Sequence, residues 1–179
     1  MGDKRRFDLF ARFVAGLVPP GERMAMRVAD VAAGKGALSW ALREHGFLNI
    51  VPFEPKPRRG GQVRRLGMQV RDFTSKLADG FDLIVGMHPD GATDHILEGA
   101  ARTGALVAIS PCCVRPSAWT YWGNGLSHKE WHEHLVSQSA KRGLDLEQGR
   151  LKMNGANAIM WGGGTGQHKG DTRRSEGTK

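Results

Sequence analysis

The chain has 179 residues, with 26 Lys plus Arg against 18 Asp plus Glu and a formal net charge of +8 at pH 7. This length suits one domain with its own core, and the two cysteines, Cys112 and Cys113, are adjacent, which excludes a secreted disulfide scaffold. No apolar run is long enough to span a bilayer, so we expect no membrane association and a cytoplasmic protein, with import into an organelle left open.

The first half of the chain predicts alternating helices and strands. Apolar residues at helical spacing predict an amphipathic basic helix over residues 4–18, which Pro19 and Pro20 end. The elements expected next are a strand at 26–31, a helix at 37–45, and strands at 49–53 and 68–70.

The second half continues the alternation and ends in a hairpin. Its expected elements are a strand at 81–87, a helix at 94–102 capped by Thr93, a strand at 105–110, a helix from the Ser127–Glu130 capping box to Gly143, and strands at 144–152 and 156–161. This order predicts a doubly wound α/β fold, with a mostly parallel sheet and an antiparallel C-terminal hairpin. We expect an N-terminal helical segment (1–21), a single core (22–162) and a flexible basic tail (163–179).

A turn rich in small residues follows the first predicted strand, from Asp30 through Ala32 and Gly34 to Gly36. Small residues let the backbone approach a ligand closely, and N–H groups at a helix start favour anionic atoms. Ser39 stands where a dinucleotide-binding fingerprint needs a third Gly or Ala. The Asp four residues before a Gly-x-Gly instead resembles motif I of class I S-adenosylmethionine (SAM) methyltransferases. The alternative interpretation is that Gly34 and Gly36 merely form a tight turn and bind no ligand.

Two further acids occupy positions where that family places carboxylates. Glu54 ends the second strand, 24 residues after Asp30, and the resemblance implies that it accepts hydrogen bonds from the ribose hydroxyls. It implies that Asp72, beside Phe73, accepts from the adenine amino group, although Asp72 can equally be a surface acid. The resemblance covers residues 24–162 and implies SAM as the cofactor. The contacts expected from it are Asp30, Ala32, Gly34, Gly36, Glu54, Asp72, Phe73 and Met87.

Two later segments are similar to the tRNA acceptor-stem 2′-O-methyltransferase group. One contains His88 and the Ala-Thr-Asp at 92–94 after the fourth strand, and the other is Pro111-Cys112-Cys113 after the fifth. Pro89-Asp90 replaces the Leu-Cys of that group, and its zinc-binding additions are absent. The resemblance implies methyl transfer to RNA and leaves the methylated atom open.

The strand ends supply catalytic candidates, because ligands in an open α/β sheet lie beyond the carboxyl ends of the strands. His88 can take the proton of a hydroxyl acceptor while Asp90 orients it, or it can simply cap its strand. Cys112 and Cys113 either line the acceptor pocket or are buried as small apolar residues.

Basic and aromatic residues favour a nucleic-acid partner. The net charge of +8 favours a polyanion, although a solvated surface gives the same charge. Aromatic rings after the fifth strand can stack on exposed bases, or cover SAM, or fill the core. The candidate substrate-binding residues are Arg58, Arg59, Cys112, Cys113, Arg115, Trp119 and Trp122.

His128 and His132 are one helical turn apart, but they lack an evident third ligand, so we expect a solvated helix and no metal. The leading hypothesis is a SAM-dependent RNA methyltransferase, with a tRNA or rRNA 2′-hydroxyl as an acceptor. A non-catalytic RNA-binding module of a ribonucleoprotein and a small-molecule methyltransferase are the alternatives. The oligomeric state is not predicted.

Overall fold

The structure is a computed structural model, and it describes residues 3–57, 66–111 and 127–164. Its strands are β1 (Arg27–Val31), β2 (Asn49–Phe53), β3 (Leu83–Met87), β4 (Leu106–Ser110), β5 (Leu144–Arg150) and β6 (Ala158–Gly164). Its α-helices are α1 (Arg6–Gly16), α2 (Ala37–Glu44), α3 (Thr93–Thr103) and α4 (His128–Ala140). Two short 3₁₀ turns, Ser75–Ala78 and Asp90–Ala92, lie on either side of β3.

The strands form one sheet in the order β2-β1-β3-β4-β6-β5. The first four strands in this order run parallel, β6 is antiparallel to β4, and β5 is antiparallel to β6. The predicted α/β fold, mostly parallel with an antiparallel C-terminal hairpin, is confirmed. The carboxyl ends of the parallel strands therefore share one edge of the sheet, where ligands bind in folds of this type.

Helices bury both faces of the sheet. Phe10 of α1 and Leu42 of α2 pack with Val85 on one face, while Leu97 of α3 and Leu135 of α4 belong to the cluster on the opposite face. Every residue of β3 is buried, as expected for a strand covered on both sides. This packing explains why β3 and β4 are nearly continuous apolar runs in the sequence. None of the helices among the described residues combines the length and the apolar composition that crossing a membrane requires.

The predicted strand at 68–70 is wrong in its extent. Only Gln69 makes a parallel bridge, to Phe53, and its backbone bonds to Pro52 and Glu54 hold this segment beside β2. Val70 is 61% exposed, so the short apolar run has no packing surface that would extend the strand.

Two smaller features differ from the sequence prediction, and a third agrees. Thr93 is the first residue of α3 rather than its cap, because a 3₁₀ turn leads directly into the helix and places Ala92 at the N-cap. The hairpin connection is longer than predicted: it covers residues 151–157, so Asn154-Gly155 lies inside a wide loop. The capping box at the start of α4 is confirmed, with Ser127 and Glu130 bonded reciprocally.

Candidate active site

The turn after β1 has an unusual backbone. Ala32, Gly34 and Gly36 have φ angles of +57°, +57° and +82°. Glycine adopts this left-handed region freely, whereas an L-residue such as alanine is disfavoured there by roughly 1–2 kcal/mol. Strain of this kind is concentrated at functional sites. The geometry therefore explains the glycines of the motif and singles out Ala32 as a position held under strain.

Asp30 is buried at the end of β1, where its side chain is 1% exposed. The Ser39 hydroxyl donates to Asp30 Oδ2 at 2.5 Å, which ties the end of β1 to the first turn of α2. Burial raises the pKa of Asp30 to about 7. The hydrogen bonds from Ser39 lower this pKa in part, and the negative charge of Glu54 raises it by a smaller amount. The structure thus gives Asp30 a role in fixing the turn. Its hydrogen-bond partner is Ser39, which in the sequence was notable only as a departure from the dinucleotide-binding pattern.

Glu54 follows β2 and bonds to the turn after β1. Its Oε2 accepts from the Gly34 N–H at 2.8 Å, and its Oε1 accepts from the Lys56 N–H at 2.9 Å. Each carboxylate oxygen can accept a second hydrogen bond, and the side chain is only half-buried. The carboxylate is therefore held rigidly and keeps acceptor capacity for two ligand hydroxyls.

The other predicted cofactor contacts lie at different depths. Asp72 is exposed, whereas Phe73 is 2% exposed and packs edge-on against Phe53 with ring centroids 5.1 Å apart. Met87, at the end of β3, is 6% exposed. Phe73 and Met87 thus lie mainly in the core beneath the strand ends, and their direct contact with a cofactor stays a prediction.

His88 lies at the junction of β3 and β4. Its backbone N–H donates to the Ser110 carbonyl at 2.9 Å, and its φ angle is +59°. Ala32 and His88 are the described non-glycine residues with positive φ, and they follow two neighbouring strands, β1 and β3. Alanine carries no signal for left-handed backbone, whereas histidine is one of the residue types enriched there, a weak signal at His88 that the sequence interpretation did not use. The backbone of Asp90 begins the 3₁₀ turn that follows His88.

The predicted substrate-binding residues Arg58, Arg59, Cys112, Cys113, Arg115, Trp119 and Trp122 lie outside the described residues. Within residues 3–57, 66–111 and 127–164, no group of three or more His, Cys, Asp or Glu side chains is placed to hold a metal ion.

Comparison by sequence finds no matching family model and no matching curated protein. Comparison by structure finds proteins of the same fold. A sugar N-methyltransferase from Streptoalloteichus sp. is 17% identical with a TM-score of 0.57, over 91% of this chain and 93% of that one. Fibrillarin from Aeropyrum pernix, solved with natively bound SAM, is 11% identical with a TM-score of 0.60, over 87% and 76%.

A proposed RNA methyltransferase from Pyrococcus horikoshii is 15% identical to this chain with a TM-score of 0.56, over 87% of this chain and 80% of that one. Identities this low show the fold and leave the activity and substrate to be argued from the site itself. The chain therefore shares its α/β fold with these proteins, which include a sugar N-methyltransferase and a protein solved with bound SAM.

Proposed function

We propose that this chain is a SAM-dependent methyltransferase that acts on RNA. The observation that carries the proposal is the Glu54 carboxylate, which the N–H groups of Gly34 and Lys56 fix at the carboxyl edge of the sheet. An acceptor pair held in this way is suited to the two hydroxyls of a ribose. A protein of the same fold was solved with bound SAM, which supports the proposal that SAM binds beside Glu54.

The residues around Glu54 fit such a cofactor. The turn from Ala32 to Gly36 carries no bulky side chain next to the backbone except the exposed Lys35, so a ligand can approach it closely. Asp72 is exposed and free to accept from an amino group. The residues proposed to hold or support SAM are Asp30, Ala32, Gly34, Gly36, Glu54, Asp72, Phe73 and Met87.

Methyl transfer needs an acceptor aligned with the reacting carbon. Bound SAM supplies an electrophilic methyl group on a sulfonium, so much of the catalysis is positioning. His88 follows β3 at the same edge as Glu54, where its imidazole can remove the proton of a hydroxyl acceptor. Asp90 is proposed to orient His88, and an RNA 2′-hydroxyl is the proposed acceptor.

The charge of the chain supports RNA as the substrate. A net charge of +8 on 179 residues favours a polyanionic partner. A proposed RNA methyltransferase of the same fold supports the same choice. The basic and aromatic candidates Arg58, Arg59, Arg115, Trp119 and Trp122, with Cys112 and Cys113, are proposed to contact the RNA near the methyl group.

The test is methyl transfer from labelled SAM into total RNA, followed by mass spectrometry of the nucleosides. We expect label in one modified nucleoside. His88→Asn, which tolerates left-handed backbone, should lower transfer roughly 10²- to 10⁴-fold while SAM binding persists. His95→Gln, at an exposed position on α3, is the control and should keep full activity. Tight SAM binding without label in any nucleoside would refute the RNA substrate, and absence of SAM binding would refute the methyltransferase.

A further inference from the structure

A cavity lies at the same edge of the sheet as the candidate active site. It has a volume of about 670 Å³ and lies between the first turns of α4 and the β5–β6 hairpin. Its lining includes Pro111, His128, Lys129, His132, Arg150 and Asn157. Such a volume falls in the range of small-molecule and cofactor sites.

Hydrogen bonds link the cavity to His88, which lies at the same edge of the sheet. The His88 N–H donates to the Ser110 carbonyl, and the Ser110 hydroxyl in turn donates to the Ala158 carbonyl, each at 2.9 Å. Ala158 lines the cavity, and Pro111 follows Ser110 directly. Two hydrogen bonds through Ser110 therefore connect the backbone of His88 to the wall of the cavity.

Donors dominate the chemistry of the lining. Arg150 presents its guanidinium, which bonds Asn157 Oδ1 at 3.4 Å. His132 Nε2 is buried and has no hydrogen-bond partner among the described residues. Lys129 is exposed and lies 3.7 Å from Glu133, the one acidic residue among the lining residues. The cavity thus combines two permanently charged basic side chains, two imidazoles and one carboxylate.

The surroundings of His132 show a positive local potential. Burial lowers the pKa of His132, and the nearby charges of His128 and Arg150 lower it further. The positive end of the α4 dipole lies at the same rim, since the helix begins at His128. Because this potential opposes cations, the site favours an anion over a metal ion.

We propose that this cavity binds a phosphate group of the RNA acceptor, with Arg150 and His132 as the contacting side chains. The inference rests on the proposed function, because it places the backbone of the substrate next to His88. A guanidinium and an imidazole N–H are suited to the oxygens of a phosphodiester. The volume leaves room for the sugar attached to that phosphate.

Binding of a labelled RNA oligonucleotide by the full chain, measured by fluorescence anisotropy over a series of salt concentrations, tests the site. Arg150→Gln should weaken binding roughly five- to tenfold and reduce the salt slope by about one phosphate contact. His132→Gln should also weaken RNA binding. Both variants should keep the SAM affinity of the unmodified chain.

Arg142→Gln is the matched control, because Arg142 is exposed just after the C-terminal end of α4 and bonds to Gln138 of that helix. We expect it to change RNA affinity less than about twofold. RNA affinity and salt slope in Arg150→Gln and His132→Gln equal to those of Arg142→Gln would overturn the inference.

An NMR titration of the His132 ring separates this inference from the proposed function. RNA bound at the cavity should raise the pKa of His132, because an anion stabilises the imidazolium against the positive charges of His128 and Arg150. The phosphate would be a second negative charge in the lining, beside that of Glu133. This rise without methyl transfer would refute only the proposed activity. Methyl transfer with an unchanged His132 titration would refute only the cavity as a phosphate site. A rise with inorganic phosphate but not with RNA would overturn RNA as the source.

Discussion

The backbone N–H of Gly34 donates to Glu54 Oε2 at 2.8 Å and so joins the turn after β1 to the end of β2. The second oxygen of the same carboxylate accepts from the Lys56 N–H at 2.9 Å. The carboxylate is therefore oriented before a ligand arrives, which reduces the ordering cost of binding.

We expect Glu54→Gln to weaken binding of S-adenosylhomocysteine, the demethylated form of SAM. Charge-assisted hydrogen bonds contribute about 1.5–3 kcal/mol, so the loss should be roughly tenfold to hundredfold. Isothermal titration calorimetry measures it. Glu44→Gln, at an exposed site at the end of α2, should bind as the unmodified chain does, and equal affinities for the two variants would contradict the role of Glu54.

Ala32→Gly should stabilise the fold. The φ of +57° at Ala32 disfavours alanine by roughly 1–2 kcal/mol, while the greater freedom of glycine in the unfolded chain offsets about 0.5–1 kcal/mol. A net gain of about 0.5–1 kcal/mol should appear in urea denaturation. Ala140→Gly, at the exposed end of α4, has no such strain to relieve and should lose stability. A loss at both positions would argue against strain at Ala32.

The pH dependence of stability should contain a contribution from Asp30. Its folded pKa of about 7 exceeds the ordinary value of 3.8. Between these values the folded state binds more protons than the unfolded chain, so this contribution to the free energy of unfolding falls as the pH rises. Its size is at most about 4 kcal/mol, since each pKa unit corresponds to about 1.4 kcal/mol.

Asp30→Asn removes this ionisation. Its stability relative to the unmodified chain should therefore increase from about pH 4 to about pH 8, as measured by urea denaturation at each pH. Ser39→Ala removes the hydroxyl that lowers the pKa of Asp30 and should extend the fall to higher pH. Stability curves of Asp30→Asn and the unmodified chain that run parallel over this range would contradict the assignment.

Arg23 connects the C-terminal ends of α1 and α2. Its guanidinium donates to the carbonyls of Ala15 at 2.6 Å, Val18 at 3.1 Å and His45 at 3.4 Å. Arg23→Met keeps an apolar stem but removes these donors, and it should reduce the free energy of unfolding by about 1–3 kcal/mol. Glu22→Gln, at the exposed neighbouring position, should change it by less than about 0.5 kcal/mol. Similar denaturation midpoints for both variants would disprove this role.

Two adjacent glycines in β6 should respond differently to alanine. A Cβ at Gly162 would overlap the Asp145 carbonyl of β5, whereas a Cβ at Gly163 meets nothing within 4 Å. Gly162→Ala must therefore separate the β5–β6 pair and should destabilise the fold by about 3 kcal/mol or more. Gly163→Ala should be neutral or slightly stabilising. Thermal unfolding followed by circular dichroism compares them, and equal melting temperatures would refute the close approach of β5 and β6.

The sequence predicts well those elements whose apolar residues directly indicate which positions are buried. The strand at 49–53 has the predicted bounds, and the continuous apolar runs of β3 and β4 follow from burial on both faces. The start of α4 is equally clear, because Ser127 and Glu130 satisfy each other locally.

The features that the sequence did not predict depend on distant neighbours. The strand at 68–70 shrinks to Gln69 because only Phe53 pairs with it, and its residue types do not reveal that. Left-handed backbone at Ala32 has no residue signal either. The cavity between α4 and the β5–β6 hairpin forms only where these elements meet, so His132 and Arg150, 18 positions apart in sequence, come to line one space.

The most direct test of the central claim is a crystal structure of the full chain grown with S-adenosylhomocysteine. The claim predicts electron density for the ribose with both hydroxyls within hydrogen-bond distance of Glu54, and the amino-acid portion of the ligand along the turn from Ala32 to Gly36. Density elsewhere on the molecule, or no density at saturating ligand with the Gly34–Glu54 hydrogen bond intact, would contradict it.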